Sequence, residues 1–174
     1  MHPVQQYIAG HSLFQGLDSR HIEEISRLAR LVALGRGQIL ALENEPCSAV
    51  YLVVSGRLRA YKMSPQGREQ IVAILQTGQA FYLVPALDGG PLPATTQALT
   101  RASVLSISRD DFVSLMQRFP PLALHVAVDL ARRLRQMTGL VEDLSLRTVP
   151  ERLARLLLET ARASTDHRLT QREM

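Results

Sequence analysis

Residues 49–78, AVYLVVSGRLRAYKMSPQGREQIVAILQTG, decide the fold. They hold three apolar runs, at 49–55, 58–63 and 69–75, parted by Gly56 and by Ser64-Pro65-Gln66-Gly67. Each run has the length of a strand, and the second break has proline at the second position of a turn. Gly56, Gly67, Gly78 and Gly89 then recur every eleven residues, which suits short strands joined by tight connections. Two further runs, 94–100 and 102–108, extend the pattern. No helical spacing separates the runs, so a compact antiparallel sheet is expected and a parallel βαβ sheet is disfavoured.

Helical patterns flank this region. Ile22, Ile25, Leu28, Ala29 and Val32 approximate one face of a helix over residues 19–34, with Asp18 or Ser19 as its cap. Residues 110–119 give a second short helix carrying Phe112, Leu115 and Met116 on one face, closed by Pro120-Pro121. From Pro121 to Val149 there is no further proline, enough for a helix of ~40 Å at 1.5 Å per residue. Ala123, Leu130, Met137 and Leu144 fall seven apart; Ala127, Leu134, Val141 and Thr148 form a second series offset by four. Two such series make an a/d seam that calls for a second copy of the helix. Leu124, Val128 and Leu140, off the seam, are expected to cover the chain's own sheet domain. Pro150 can open another helix with Leu153, Leu156, Leu157 and Ala161 as its stripe, and Thr170-Gln171-Arg172-Glu173 reads as a capping box. The division expected is a sheet domain at 1–120, a pairing helix at 121–149 and a further helical region at 150–174.

Composition narrows the function classes. The single Cys47 excludes an intrachain disulfide and any metal site built from several thiolates of one chain. Twenty basic against sixteen acidic residues is a mild excess that permits contact with an anionic polymer without requiring it. The absence of Trp, with four Phe and four Tyr, argues against a stacking platform for single-stranded nucleic acid. No segment approaches the ~20 apolar residues of a membrane span, and residues 1–10 do not read as a signal peptide, so a cytoplasmic protein is expected. Glu23-Glu24, Asp110-Asp111 and Glu142-Asp143 lie in helical patterns where neighbours diverge. Gly89-Gly90-Pro91 lacks the Lys-Ser/Thr of a phosphate loop. No nucleophile, base and orienting group can be assembled, so no catalytic residue and no metal site is assigned.

The order of these elements, and several strings within them, resemble the Crp/Fnr family of bacterial transcription regulators. The strings are His11-Ser12-Leu13-Phe14 with Leu17, residues 51–56 with Leu58, Gly67 with Glu69, the 78–95 segment, residues 130–134, residues 152–156 and residues 169–173. The resemblance implies an α+β fold: a cyclic-nucleotide-binding-like antiparallel β-roll (jelly roll) with short flanking helices and a long C-terminal dimerisation helix. It also implies an effector site, a homodimer, and contact with DNA through a C-terminal helix-turn-helix of which residues 150–174 are the start. A free-standing roll that regulates a partner protein is the alternative, and a chain that continued with a turn and a basic helix would decide against it.

At the effector site the sequence departs from the family's nucleotide-binding pattern. There, Phe-Gly-Glu supplies a carboxylate for the ribose hydroxyl, and Arg-Ser-Ala or Arg-Ala-Ala a guanidinium for the cyclic phosphate. Here Tyr82 stands for the glycine, Leu83 for the glutamate, Leu92 for the arginine, and Pro93 removes an amide donor. Cyclic AMP is therefore expected to bind poorly. The resemblance places Ile71, Tyr82, Leu83, Leu87, Leu92, Ala94 and Thr95 around the pocket, with Met137 and Thr138 facing it from the long helix. An apolar pocket of this kind has two readings. It holds a hydrophobic or planar small-molecule effector, including a gas-sensing haem with His11 or His125 as axial ligand; or it is a core filled by its own side chains in a protein controlled some other way.

Overall fold

A computed structural model describes residues 3–146 together with 150, 151 and 154. The chain divides into two compact units, one ending at Ala127 and one starting at Val128, described separately below.

In the first unit, α1 (Pro3–Gly10) and a single 3-10 turn (Ser12–Phe14) precede α2 (Ser19–Leu28). Strands β1 (Arg30–Leu34), β2 (Ile39–Ala41), β3 (Ala49–Ser55), β4 (Arg57–Met63), β5 (Glu69–Gln76) and β6 (Ala80–Phe81) follow. Then come α3 (Leu83–Asp88), β7 (Thr95–Ala98), β8 (Ala102–Ser108) and α4 (Arg109–Arg118). The strands form two antiparallel four-stranded sheets, ordered β1-β8-β3-β6 and β2-β7-β4-β5. Val50, Leu52, Leu58, Leu105 and Ile107 are fully buried and form the centre of the core. This is the expected β-roll, and the runs read at 49–55, 58–63, 69–75 and 102–108 each became strands.

The turns explain the register. Gly67 N–H donates to Ser64 O and Ser64 N–H to Arg68 O, each at 2.9 Å, and this closes the β4–β5 hairpin. Gly56, at φ +79°, turns β3 into β4 where a Cβ would lie 2.3 Å from the Arg101 carbonyl oxygen and 2.7 Å from Ala102 Cα. No other residue fits there, because both a left-handed backbone and a missing side chain are required.

The helix expected over 19–34 is a correction. Asp18 caps α2 by accepting from the Arg20 and His21 amides, and Ile22 and Ile25 bury its apolar face. The last helical bond is Ala29 N–H to Ile25 O, after which Ala29 is extended. Residues Arg30–Leu34 then pair with β8, Val32 opposite Val104. Val32 fits both periods, and unsatisfied edge groups on β8 pull the segment into the sheet, overriding a pattern that only one residue supported.

Ser108 caps α4: its Oγ accepts from the Asp111 amide and donates to the Asp111 carboxylate at 2.5 Å. Phe112 and Leu115 bury the inner face of α4, and after Phe119 the helix α5 (Pro120–Leu146) begins. Its opening turns, up to Ala127, belong to the first unit. There Leu122 and Val126 are buried against the roll while Leu124 is 63% exposed. The assignment of Leu124 to that contact is thus corrected: Leu122 and Val126 are four apart and share a face, and Leu124 sits between them on the opposite side.

From Val128 the helix is the second unit. Along it Leu134, Met137 and Val141 are 66%, 65% and 62% exposed in the single chain, as is Leu140 at 58%, and Arg133 pairs with Asp129 at 2.8 Å. The Leu144 side chain, Thr148 and the 147–149 end of the pairing helix lie outside the described residues, as do the stripe from Leu153 to Ala161 and the Thr170 capping box.

Candidate effector site

The segment from Gly78 to Ala98 is held at both ends by strands. Gly78 N–H donates to Val53 O and Val53 N–H to Gln79 O, feeding β6 alongside β3, with Phe81 opposite Tyr51. At the far end β7 lies between β2 and β4, Thr96 opposite Ala60. Between them, Leu92 exchanges backbone hydrogen bonds with the 44–45 turn: its N–H donates to Glu45 O at 2.8 Å and its carbonyl accepts from Asn44 N–H at 2.9 Å. The Thr95 hydroxyl accepts from the Glu43 amide at 3.0 Å.

Tyr82 is the hinge of this segment. Its backbone is left-handed (φ +63°, ψ 23°) immediately before α3, a conformation that costs a residue other than glycine roughly 1–2 kcal/mol. The side chain points inward and offsets that cost. The phenol hydroxyl donates to Ala94 O at 3.0 Å and shares a 2.6 Å hydrogen bond with the Thr96 hydroxyl, itself fully buried. Edge-on contacts to Phe81 at 5.1 Å and Tyr51 at 6.0 Å wedge the ring, and the Cys47 thiol lies 3.9 Å from the Tyr82 carbonyl oxygen. Burial pushes the phenol up to about 12, against a smaller lowering by the Thr96 hydrogen bond.

Of the residues expected to line the pocket, Tyr82, Leu83, Leu92, Ala94 and Thr95 are brought together and buried, Leu83 to 1% and Leu92 to 4% exposure. Ile71 and Leu87 are not: Ile71 on the edge strand β5 is 45% exposed and Leu87 on α3 is 39% exposed. Met137 and Thr138 belong to the second unit, where the Thr138 hydroxyl donates to Leu134 O of its own helix. From sequence, none of Thr96, Cys47 and Tyr51 is assigned to the lining of this pocket. Thr96 had a signal, because a buried tyrosine hydroxyl needs a partner and a Thr pair in a strand places one hydroxyl on each face.

The histidines proposed for haem lie elsewhere. His11 is buried, its Nδ1 accepting from Leu13 N–H at 3.2 Å. His125 Nδ1 meets Leu13 O at 3.1 Å. The cleft beside His11 is formed by Gln6, Tyr7, Gly10, Ser12 and Gly78. A macrocycle needs a broad slot walled by large apolar side chains at the axial nitrogen, and this lining offers none besides the Tyr7 ring, so it does not fit one. Among the described residues no group of three or more His, Cys, Asp or Glu side chains is placed to hold a metal ion, and no helix is long and apolar enough to cross a membrane.

Comparison with known proteins agrees with this architecture. The cyclic nucleotide-binding domain family matches residues 31–119. Over 158 residues the chain is 28% identical to the CRP-like cAMP-activated global transcriptional regulator of Mycobacterium tuberculosis, covering 91% of this chain and 70% of that protein. The Thermus thermophilus catabolite activator protein superposes with a TM-score of 0.69 at 29% identity, over 77% of this chain and 63% of that one. The sensor domain of the transcriptional regulator DNR from Pseudomonas aeruginosa superposes with a TM-score of 0.68 at 27% identity, over 83% of this chain and 94% of that one. By its fold, its matched domain and these relatives, the chain belongs to the cyclic nucleotide-binding domain family, within the Crp/Fnr group.

Proposed function

We propose that the chain is the sensor and dimerisation region of a cytoplasmic, non-enzymatic, homodimeric Crp/Fnr-type DNA-binding transcription regulator, and that its roll does not respond to cyclic AMP. The observation that carries the effector part is the Tyr82 side chain. It occupies the segment where the family's nucleotide is held and hydrogen-bonds to Ala94 and Thr96. Buried Leu83 and Leu92 replace the carboxylate and guanidinium. A cyclic phosphate entering this cluster would lose its charge partner, which costs ~2 to 5 kcal/mol, and would displace a satisfied phenol. The filled core is thus favoured over an open apolar pocket, and haem is not part of the reading.

Dimerisation is supported by the apolar a/d positions of α5 that the single chain leaves exposed, and DNA as the output by the naming of the relatives as transcription regulators. The test is thermal unfolding with millimolar cyclic AMP. No rise in melting temperature is expected, and a dose-dependent rise would overturn the effector part.

A further inference from the structure

The filled pocket leaves open where a signal enters, and the other face of the β1-β8-β3-β6 sheet offers a place. Arg30, Ser106 and Tyr51 are direct cross-strand neighbours on β1, β8 and β3, so their side chains share one face. One step along, Leu105 and Leu52 are fully buried on the other face. With Arg27 at the end of α2, Ser48 before β3 and Asp111 on α4, this row lines a cleft of about 400 Å³.

Its chemistry is that of two guanidinium groups above three hydroxyls. Arg30 makes no ion pair among the described residues. Arg27 pairs at 2.6 Å with Glu23, an exposed i,i+4 pair of the kind that contributes little and exchanges readily. The one carboxylate, Asp111, is engaged by the Ser108 hydroxyl in the α4 cap. The Ser48 and Ser106 side chains line the cleft beside the Tyr51 phenol, and burial raises the pKa of that phenol, so it stays protonated and able to donate at neutral pH.

We propose that this cleft binds a small phosphorylated metabolite, its phosphate on Arg27 and Arg30 and its hydroxyls on Ser48, Tyr51 and Ser106, and that binding is relayed to Tyr82. Guanidinium forks match phosphate oxygens, and the hydroxyl row suits a sugar or polyol body. The relay is a continuous aromatic contact. The Tyr51 ring stacks on Phe81 at 5.3 Å and 19°, and meets Tyr82 edge-on at 6.0 Å. A ligand that moves Tyr51 therefore presses on the residue that fills the family's nucleotide site. None of this depends on DNA being the output.

The protein has no tryptophan and four tyrosines, so tyrosine emission reports on this cluster. The 174-residue chain is titrated separately with inorganic pyrophosphate and with glucose 6-phosphate, sodium chloride holding ionic strength constant. A saturable change with at least one probe is expected, its affinity falling at least about tenfold in Arg30→Gln and staying unchanged in Arg36→Gln on the distant β1–β2 turn. In Tyr82→Phe the midpoint should hold while the amplitude shrinks. Failure of both probes to saturate, or equal weakening in the two arginine variants, overturns the site; an undiminished amplitude in Tyr82→Phe overturns the relay.

Discussion

His11 and His125 hold the two backbone groups of one residue: the Leu13 N–H donates to His11 Nδ1 at 3.2 Å, and His125 Nδ1 donates to the Leu13 carbonyl at 3.1 Å. The tautomers follow from the partners. An acceptor Nδ1 puts the His11 proton on Nε2, and a donor Nδ1 puts the His125 proton on Nδ1. Leu13 is buried between them, so the pair ties the leading segment to the first turns of α5 across 112 positions of chain.

If these histidines are fasteners, removing either should cost stability rather than ligand binding. His125→Ala is expected to lower unfolding free energy by about 1 kcal/mol, and His11→Ala by somewhat more because its ring is buried between Tyr7 and Phe14. In urea denaturation the double variant should cost less than the two singles added, since both act on Leu13. Strict additivity would show that they do not share this task.

Tyr82 gives the protein an alkaline signature. Its folded pKa is raised from 10.0 to about 12, chiefly by burial, so the fold favours the neutral phenol. That contribution is complete below pH 10 and is lost as pH rises from 10 towards 12. Tyr82→Phe removes it and also strands the Thr96 hydroxyl, a loss of about 1 to 2 kcal/mol at neutral pH. The stability gap between parent and variant should therefore narrow above pH 10, as measured by denaturant midpoints along a pH series. Tyr7 and Tyr51 are raised as well, but they are common to both proteins and cancel in the difference. A gap independent of pH would mean that the phenol is not buried as described.

Much of the roll was legible in the sequence because its punctuation is geometric. The eleven-residue glycine spacing marks chain reversals at Gly56, Gly67 and Gly78, all with positive φ. Strand β1 was lost because Val32 continued the helical period of α2 and nothing local marks the change. The two-residue β6 and three-residue β2 are too short to show any period. At the site, sequence showed which charges were missing but not where the Tyr82 phenol goes, since its hydroxyl is satisfied by Ala94 and Thr96, twelve and fourteen residues away. Ile71 lies half exposed on the edge strand β5, and its exposure was not legible because strand order does not show in a single sequence.

Gly56 and Gly67 share a left-handed backbone and differ in surroundings, which separates two costs. A Cβ at Gly67 meets nothing within 4 Å, whereas one at Gly56 collides with the Arg101 carbonyl and Ala102. Gly67→Ala should lose only the conformational cost of about 1 kcal/mol, and Gly56→Ala about 2 to 5 kcal/mol once the clash is added. Equal losses would show that the β7–β8 turn moves aside freely.

The long helix makes the most direct demand for a partner. Ala127, Leu130, Leu134, Met137 and Val141 alternate three and four apart, and the last three are each more than 60% exposed in the single chain. Water contact over such a stripe is unfavourable by about 25 cal/mol per Å², and a second α5 laid along it would remove most of that area. A homodimer at micromolar concentration is therefore expected in sedimentation velocity. Leu134→Glu puts like charges into the seam and should weaken association at least about 100-fold. Arg132→Glu, on the outward side of the helix at two positions past Leu130, should leave it nearly unchanged. Comparable dimers in both variants, or a monomeric parent at that concentration, would remove the seam as the pairing surface.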